Sequence, residues 1–165
     1  SYNTGTINNK VIHSYLRPSA GTVTNKTINQ IIQTYGLSPN NTTRMFAVGK
    51  YQITPDPMRE AKLKLRLTGE EKFDANLQER IFREYLIPSK RPTLGAFVLQ
   101  GKGTVQLAQY EASKEWASIA TPNGLKISKK NGGYVSDGTK SFYESRPIMQ
   151  IRALQKWLKK FWKKF

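Results

Sequence analysis

The chain has 165 residues, with 27 Lys and Arg against 11 Asp and Glu for a formal charge of +16, no cysteine and one histidine. That length suits one domain-sized core, and 38% apolar residues argues against wholesale disorder. Zero cysteines exclude disulfides, thiolate nucleophiles and cysteine-built zinc sites, and a lone His13 leaves a multi-histidine metal centre or a conventional triad little to work with. No apolar run approaches the ~20 residues that span a bilayer. The N-terminus also lacks the basic-then-apolar pattern of a signal peptide.

Residues 1–23 are rich in Gly, Pro, Asn and Thr and read as irregular or short hairpin structure. "TNKTINQIIQTYG" reads as a short helix capped by Thr24 or Asn25, with Ile28, Ile31 and Ile32 inward and Gly36 as its end. After a loop, Gly49 to Ile53 reads as a short strand. Asp56 is then expected to cap a helix with Pro57 at its first position and Gly69 as its stop. Asp74 caps the next helix, whose Leu77, Ile81, Phe82, Tyr85 and Leu86 follow the 3.6-residue period, and Pro88 and Pro92 are expected to break it.

A further helix is expected from Thr104 to Ile119, with Val105, Leu107, Ala108, Ala112, Trp116 and Ile119 inward. Residues 120–142 read as a loop whose "NGG" can turn a hairpin. A last helix starts at Pro147. The fold class is mainly α, an α+β arrangement with a small β element near residues 48–54. Residues 1–146 form the body and residues 147–165 a cationic amphipathic helix.

Charge supports that division. Arg146 to Phe165 carries seven cations and no acid, leaving 20 cations against 11 acids in the rest. In "IRALQKWLKKFWKKF", Ile151, Leu154, Trp157, Leu158, Phe161, Trp162 and Phe165 fall on one helical face, with Lys156, Lys159, Lys160, Lys163 and Lys164 opposite. That is the pattern of interfacial helices on anionic membranes, and the segment resembles cationic antimicrobial peptides. The competing assignment is a last core helix, which suits the stretch up to Leu154 better than the lysine-dense end. Specific nucleic-acid binding is not expected, because the aromatics follow helical core patterns and form no basic strand platform.

"FAVGKYQITPDPMREA", residues 46–61, resembles a motif of the lysozyme-like superfamily of peptidoglycan glycosidases, the lytic transglycosylases and phage or secretion-system muramidases. "FDANLQERIFREYLI", "GTVQLAQYEASKEWASI" and "SFY" at 141–143 are similar to later segments of those domains, in the same order. The resemblance implies a lysozyme-like fold and cleavage of the N-acetylmuramyl to N-acetylglucosaminyl linkage, with no metal or cofactor required. It also implies action in the bacterial cell envelope and glycan contacts at Gly49, Tyr51, Gln52 and Tyr110. On a strand, Tyr51 and Gln52 would point to opposite sides, one facing a cleft and one bracing it. On the residues alone, a core tyrosine and a solvated glutamine serve equally well.

Glycosidic cleavage needs a carboxylic acid of raised pKa. Family members carry it in a Glu-Ser dipeptide shortly before a stretch that "SYNTGT" resembles, so the matching glutamate is expected upstream of Ser1. No catalytic residue is assigned within the chain. Glu60, Glu70, Glu71, Glu79 and Glu84 read as solvated ion-pairing groups. Glu111 and Glu115 read as surface carboxylates, and Glu144-Ser145 repeats the dipeptide at the far end of the chain. The alternative to an enzyme is a wall-binding or membrane-active protein without the acid.

Overall fold

The computed structural model describes residues 23–41, 43–127 and 135–143, together with the backbone of strands at 3–7 and 10–13. These residues are mainly helical with a small antiparallel β element, the expected fold class. The chain separates into two compact units, Ser1–Leu86 and Ile87–Phe165. The division falls inside a helical run, so no Gly- or Ser-rich linker marks it in the sequence.

In the first unit, strand β1 (Asn3–Ile7) pairs with β2 (Lys10–His13) and with β3 (Ala47–Val48), in the order β2-β1-β3. Helix α1 spans Ile28–Thr34 and is capped by Thr27, one turn later than the expected Thr24 or Asn25. The Thr27 hydroxyl accepts from the Gln30 backbone N–H while the Gln30 side chain accepts from Thr27, a reciprocal capping box. Two more free N–H groups of its first turn, on Ile28 and Asn29, donate to the carbonyls of Glu71 and Gly69 at 3.1 and 2.8 Å. Ile28 and Ile31 are fully buried, whereas Ile32 is only half-buried.

Helix α2 spans Pro55–Lys64 with Thr54 as its N-cap, so Pro55 takes the first position and Asp56 lies inside the first turn. There Asp56 complements the positive end of the helix instead of capping it. The helix ends before Gly69. Leu67 N–H donates to Lys62 O at 2.9 Å and Arg66 N–H to Leu63 O at 3.2 Å, a Schellman closure with Arg66 in the left-handed region at φ 52°. Helix α3 (Ala75–Ile81) starts as expected, with Asp74 accepting from Leu77 N–H at 2.8 Å. Neither Pro88 nor the residues before it break the run. It widens into a π-helical segment over Phe82–Lys90, which contains Pro88. A proline has no N–H to complete the α ladder, and a wider turn is one way to carry it.

In the second unit, Pro92 starts a helix instead of ending one: α4 spans Pro92–Gln100 and closes at Gly101. A Cβ on Gly95 would fall 2.5 Å from the Ile87 carbonyl oxygen, so this contact requires glycine. Helix α5 (Val105–Ser113), capped by Thr104, is shorter than expected. Its buried face is Ala108, Gln109, Ala112 and Ser113, while Val105 and Leu107 are exposed, contrary to their assignment as core. The polar pair is satisfied: Gln109 donates to Ala120 O at 2.8 Å, and the Ser113 hydroxyl donates to Tyr110 O at 2.7 Å. Trp116 is half-buried and Ile119 buried, both beyond the helix end. Single bridges join Ala120 to Ser141 and Lys126 to Val135. The "NGG" turn and the segment from Glu144, with its expected terminal helix, lie outside the described residues.

Candidate functional site

Val48 and Ile53 exchange both backbone hydrogen bonds, at 3.0 and 2.9 Å, and close a hairpin whose tip is Gly49, Lys50, Tyr51 and Gln52. The expected strand over 49–53 is therefore a turn. Gly49 has φ 73° and Gln52 φ 49°, and neither backbone can continue a pleat. Tyr51 and Gln52 do not alternate across a strand.

Tyr51 is 4% exposed. Its ring stacks on Phe82 with centroids 4.1 Å apart, and its hydroxyl donates to Glu79 Oε1 at 2.8 Å. Burial, then the Glu79 carboxylate, pushes the phenol well above its ordinary value. The half-buried Gln52 folds its side-chain amide onto the Gly49 carbonyl at 2.8 Å. A Cβ at Gly49 would fall 2.5 Å from Gln78 Oε1 and 2.6 Å from the Phe73 ring, so glycine is required twice, for its φ and for its packing.

Sequence reasoning missed the support behind this tip. Gln78, 4% exposed, accepts from Lys50 N–H at 2.8 Å and donates to Phe73 O at 2.9 Å. A glutamine one turn before Phe82, on the inward side of α3, was the available signal. Glu79 does pair with a cation, Lys50, as expected of a charged helix residue, but it also receives the Tyr51 hydroxyl. Burial pushes its carboxyl up; hydrogen bonds from Lys50 and Tyr51 and the charges of Lys50 and Arg83 outweigh that and leave it below the ordinary value.

Tyr110 belongs to the second unit, on α5. Its hydroxyl donates to Lys126 O at 2.9 Å, and the Lys114 ammonium lies 4.0 Å from its ring centre. Phe142 meets Tyr110 edge-on, and the exposed Tyr143 meets Phe142 the same way. Glu111 and Glu115 are not surface carboxylates, since their side chains are only 19% and 7% exposed. Helix α5 ends before Glu115, which turns inward to Lys90 at 3.0 Å and Arg91 at 3.2 Å. Glu111 meets Lys114 at 2.6 Å and Arg91 at 3.7 Å.

A general acid needs apolar surroundings that favour the protonated form. Glu71 is driven the other way, down to about 2, chiefly by the backbone N–H of Thr68. Asp137 is also held low, first by the Thr139 hydroxyl. Glu84 pairs with Arg80 at 3.0 Å, Glu70 accepts from Asn29 at 2.7 Å, and Glu60 accepts from the Tyr85 hydroxyl. Glu144 and the tail residues Trp157, Leu158, Lys159, Lys160, Phe161, Trp162, Lys163 and Lys164 lie outside the described residues. Among the described residues no helix is long and apolar enough to cross a membrane.

Comparison with protein-family models, with characterised proteins and with solved structures returns no match.

Proposed function

We propose that this is a peptidoglycan-acting domain of the lysozyme-like kind, a muramidase or lytic transglycosylase that engages the glycan through the hairpin tip Gly49–Gln52. The observation that supports it most is the tip itself. A left-handed glycine and a left-handed glutamine bracket a buried, stacked tyrosine, and a non-glycine residue kept in that region is a strain typical of functional sites. The "GKYQI" resemblance and this conformation fall on the same residues. The tail would add affinity for anionic envelope lipids.

A second reading, wall binding without cleavage, is favoured by the carboxylates. Each Glu among the described residues meets a cation or a hydrogen-bond donor, and none of these has the apolar pocket of a proton donor. Mass spectrometry of purified peptidoglycan separates the readings. The chain should be inactive or weak alone and release muropeptides when a Glu-Ser-bearing helix of the lysozyme-like type is joined before Ser1. Anhydro ends would mark a transglycosylase and reducing ends a hydrolase. Retention on peptidoglycan without release in either form supports the binding reading, and neither retention nor release rejects both.

A further inference from the structure

Lys50 and Tyr51 are neighbours in sequence, and both send their side chains to one oxygen, Oε1 of Glu79. On a strand, consecutive side chains diverge to opposite faces. The turn at 49–52 is what lets the pair converge. The preceding residue on α3, Gln78, takes the other handle, the Lys50 backbone N–H.

We infer that Gln78 and Glu79 are the positioning residues of the hairpin tip, Gln78 holding it by the main chain and Glu79 by the side chains of Lys50 and Tyr51. The relevance to glycan rests on the function proposed above; the positioning itself does not. Burying an amide is costly unless its donor and acceptor are both used. Gln78 uses its donor on Phe73 O, within its own helix cap, and its acceptor on the tip. Lifting the tip would strand that buried oxygen, so the docked tip is the state in which Gln78 is satisfied. Gly49 makes the same contact possible from the other side, because any Cβ there would occupy the space of Gln78 Oε1. Glu79 adds a charge-assisted hold, faced by Lys50 and Tyr51 from the tip and by Arg83 one turn along its own helical run. The shape of the tip is therefore set from α3.

Amide hydrogen exchange on the full chain tests this, with sedimentation on purified peptidoglycan as a second readout. Gln78→Met removes both hydrogen bonds at similar volume. Exchange at Lys50 should accelerate about tenfold or more in Gln78→Met, and the core amide of Ile81 should not change. Unchanged exchange at Lys50, or acceleration spread equally over the core, overturns the assignment. Should Gln78→Met fail to fold, Glu79→Ala, which removes the acceptor shared by the Lys50 ammonium and the Tyr51 hydroxyl, carries the same comparison at the Lys50 amide, where several-fold acceleration is expected and none overturns it. A loosened tip with reduced retention on peptidoglycan supports the link to glycan. A loosened tip with full retention overturns that link. If the unaltered protein is not retained at all, the proposed function fails while the positioning result stands.

Discussion

The Tyr51 ring lies parallel to that of Phe82, 4.1 Å away and tilted by 7°, and joins the hairpin tip to the start of the π-helical segment. Two contributions meet there, the apolar stack and the hydroxyl bond to Glu79. Tyr51→Phe keeps the stack and loses the bond, which should cost about 1 kcal/mol. Tyr51→Ala loses both and should cost about 3 kcal/mol or more. Denaturant unfolding of the two variants checks the ordering, and equal losses would mean that the stack contributes nothing.

Arg66 holds a position that helix ends usually give to glycine. Its φ of 52° is unfavourable for a residue with a Cβ, by about 1–2 kcal/mol, against which glycine loses more chain entropy on folding. Arg66→Gly should therefore stabilise the fold by about 0.5 kcal/mol. A destabilised variant would show that the arginine side chain contributes more than its backbone costs.

Glu71 makes stability pH-dependent. Its carboxyl falls from an ordinary 4.5 to about 2 because the N–H groups of Thr68 and Gly69 hydrogen-bond its ionised form. A depressed folded value means that the contribution is fully present above the unfolded value, near 4.5, and is lost as pH falls toward 2. Glu71→Gln should flatten the stability curve in that window and leave its slope at pH 6 unchanged.

The capping signals were legible. Asp74 starts its helix as expected, and the Thr27–Gln30 capping box is a sequence pattern that competes with Thr24 and Asn25 for the start of α1. "TPDP" offers two prolines that each suit a first helical position, and local chemistry does not choose between them. The tip misled because Lys-Tyr-Gln-Ile alternates like a strand, whereas the decisive fact is the nonlocal pairing of Gln78 with Lys50, 28 residues apart. Helix α4 is hidden in the sequence because "PTLGAFVLQ" is apolar almost all round and opens on Pro92, four residues after Pro88; what allows it is Gly95 packing on the Ile87 carbonyl. Glu115 reads as a surface group because the helical pattern continues past Ser113, and its partners Lys90 and Arg91 are distant in sequence.

The tail makes a separate expectation. Five lysines opposite Trp157, Leu158, Phe161, Trp162 and Phe165 should each contribute on the order of 1 kcal/mol near an anionic bilayer. Deleting residues 156–165 should abolish most binding to anionic vesicles and leave the melting temperature nearly unchanged. Unchanged vesicle binding with a large drop in melting temperature would make the segment a core helix.

The central claim is that the hairpin tip meets a peptidoglycan strand. Solubilised glycan strands titrated into 15N-labelled protein test it most directly, read at the amides of Gly49, Lys50, Tyr51 and Gln52. The account predicts saturable shifts at these four residues that survive about 1 M salt, where charge attraction is screened beyond about 3 Å. Gly49→Ala, which drives a Cβ into Gln78, should abolish them. Shifts absent from the tip, or present only at low salt and spread over the lysines, would contradict it.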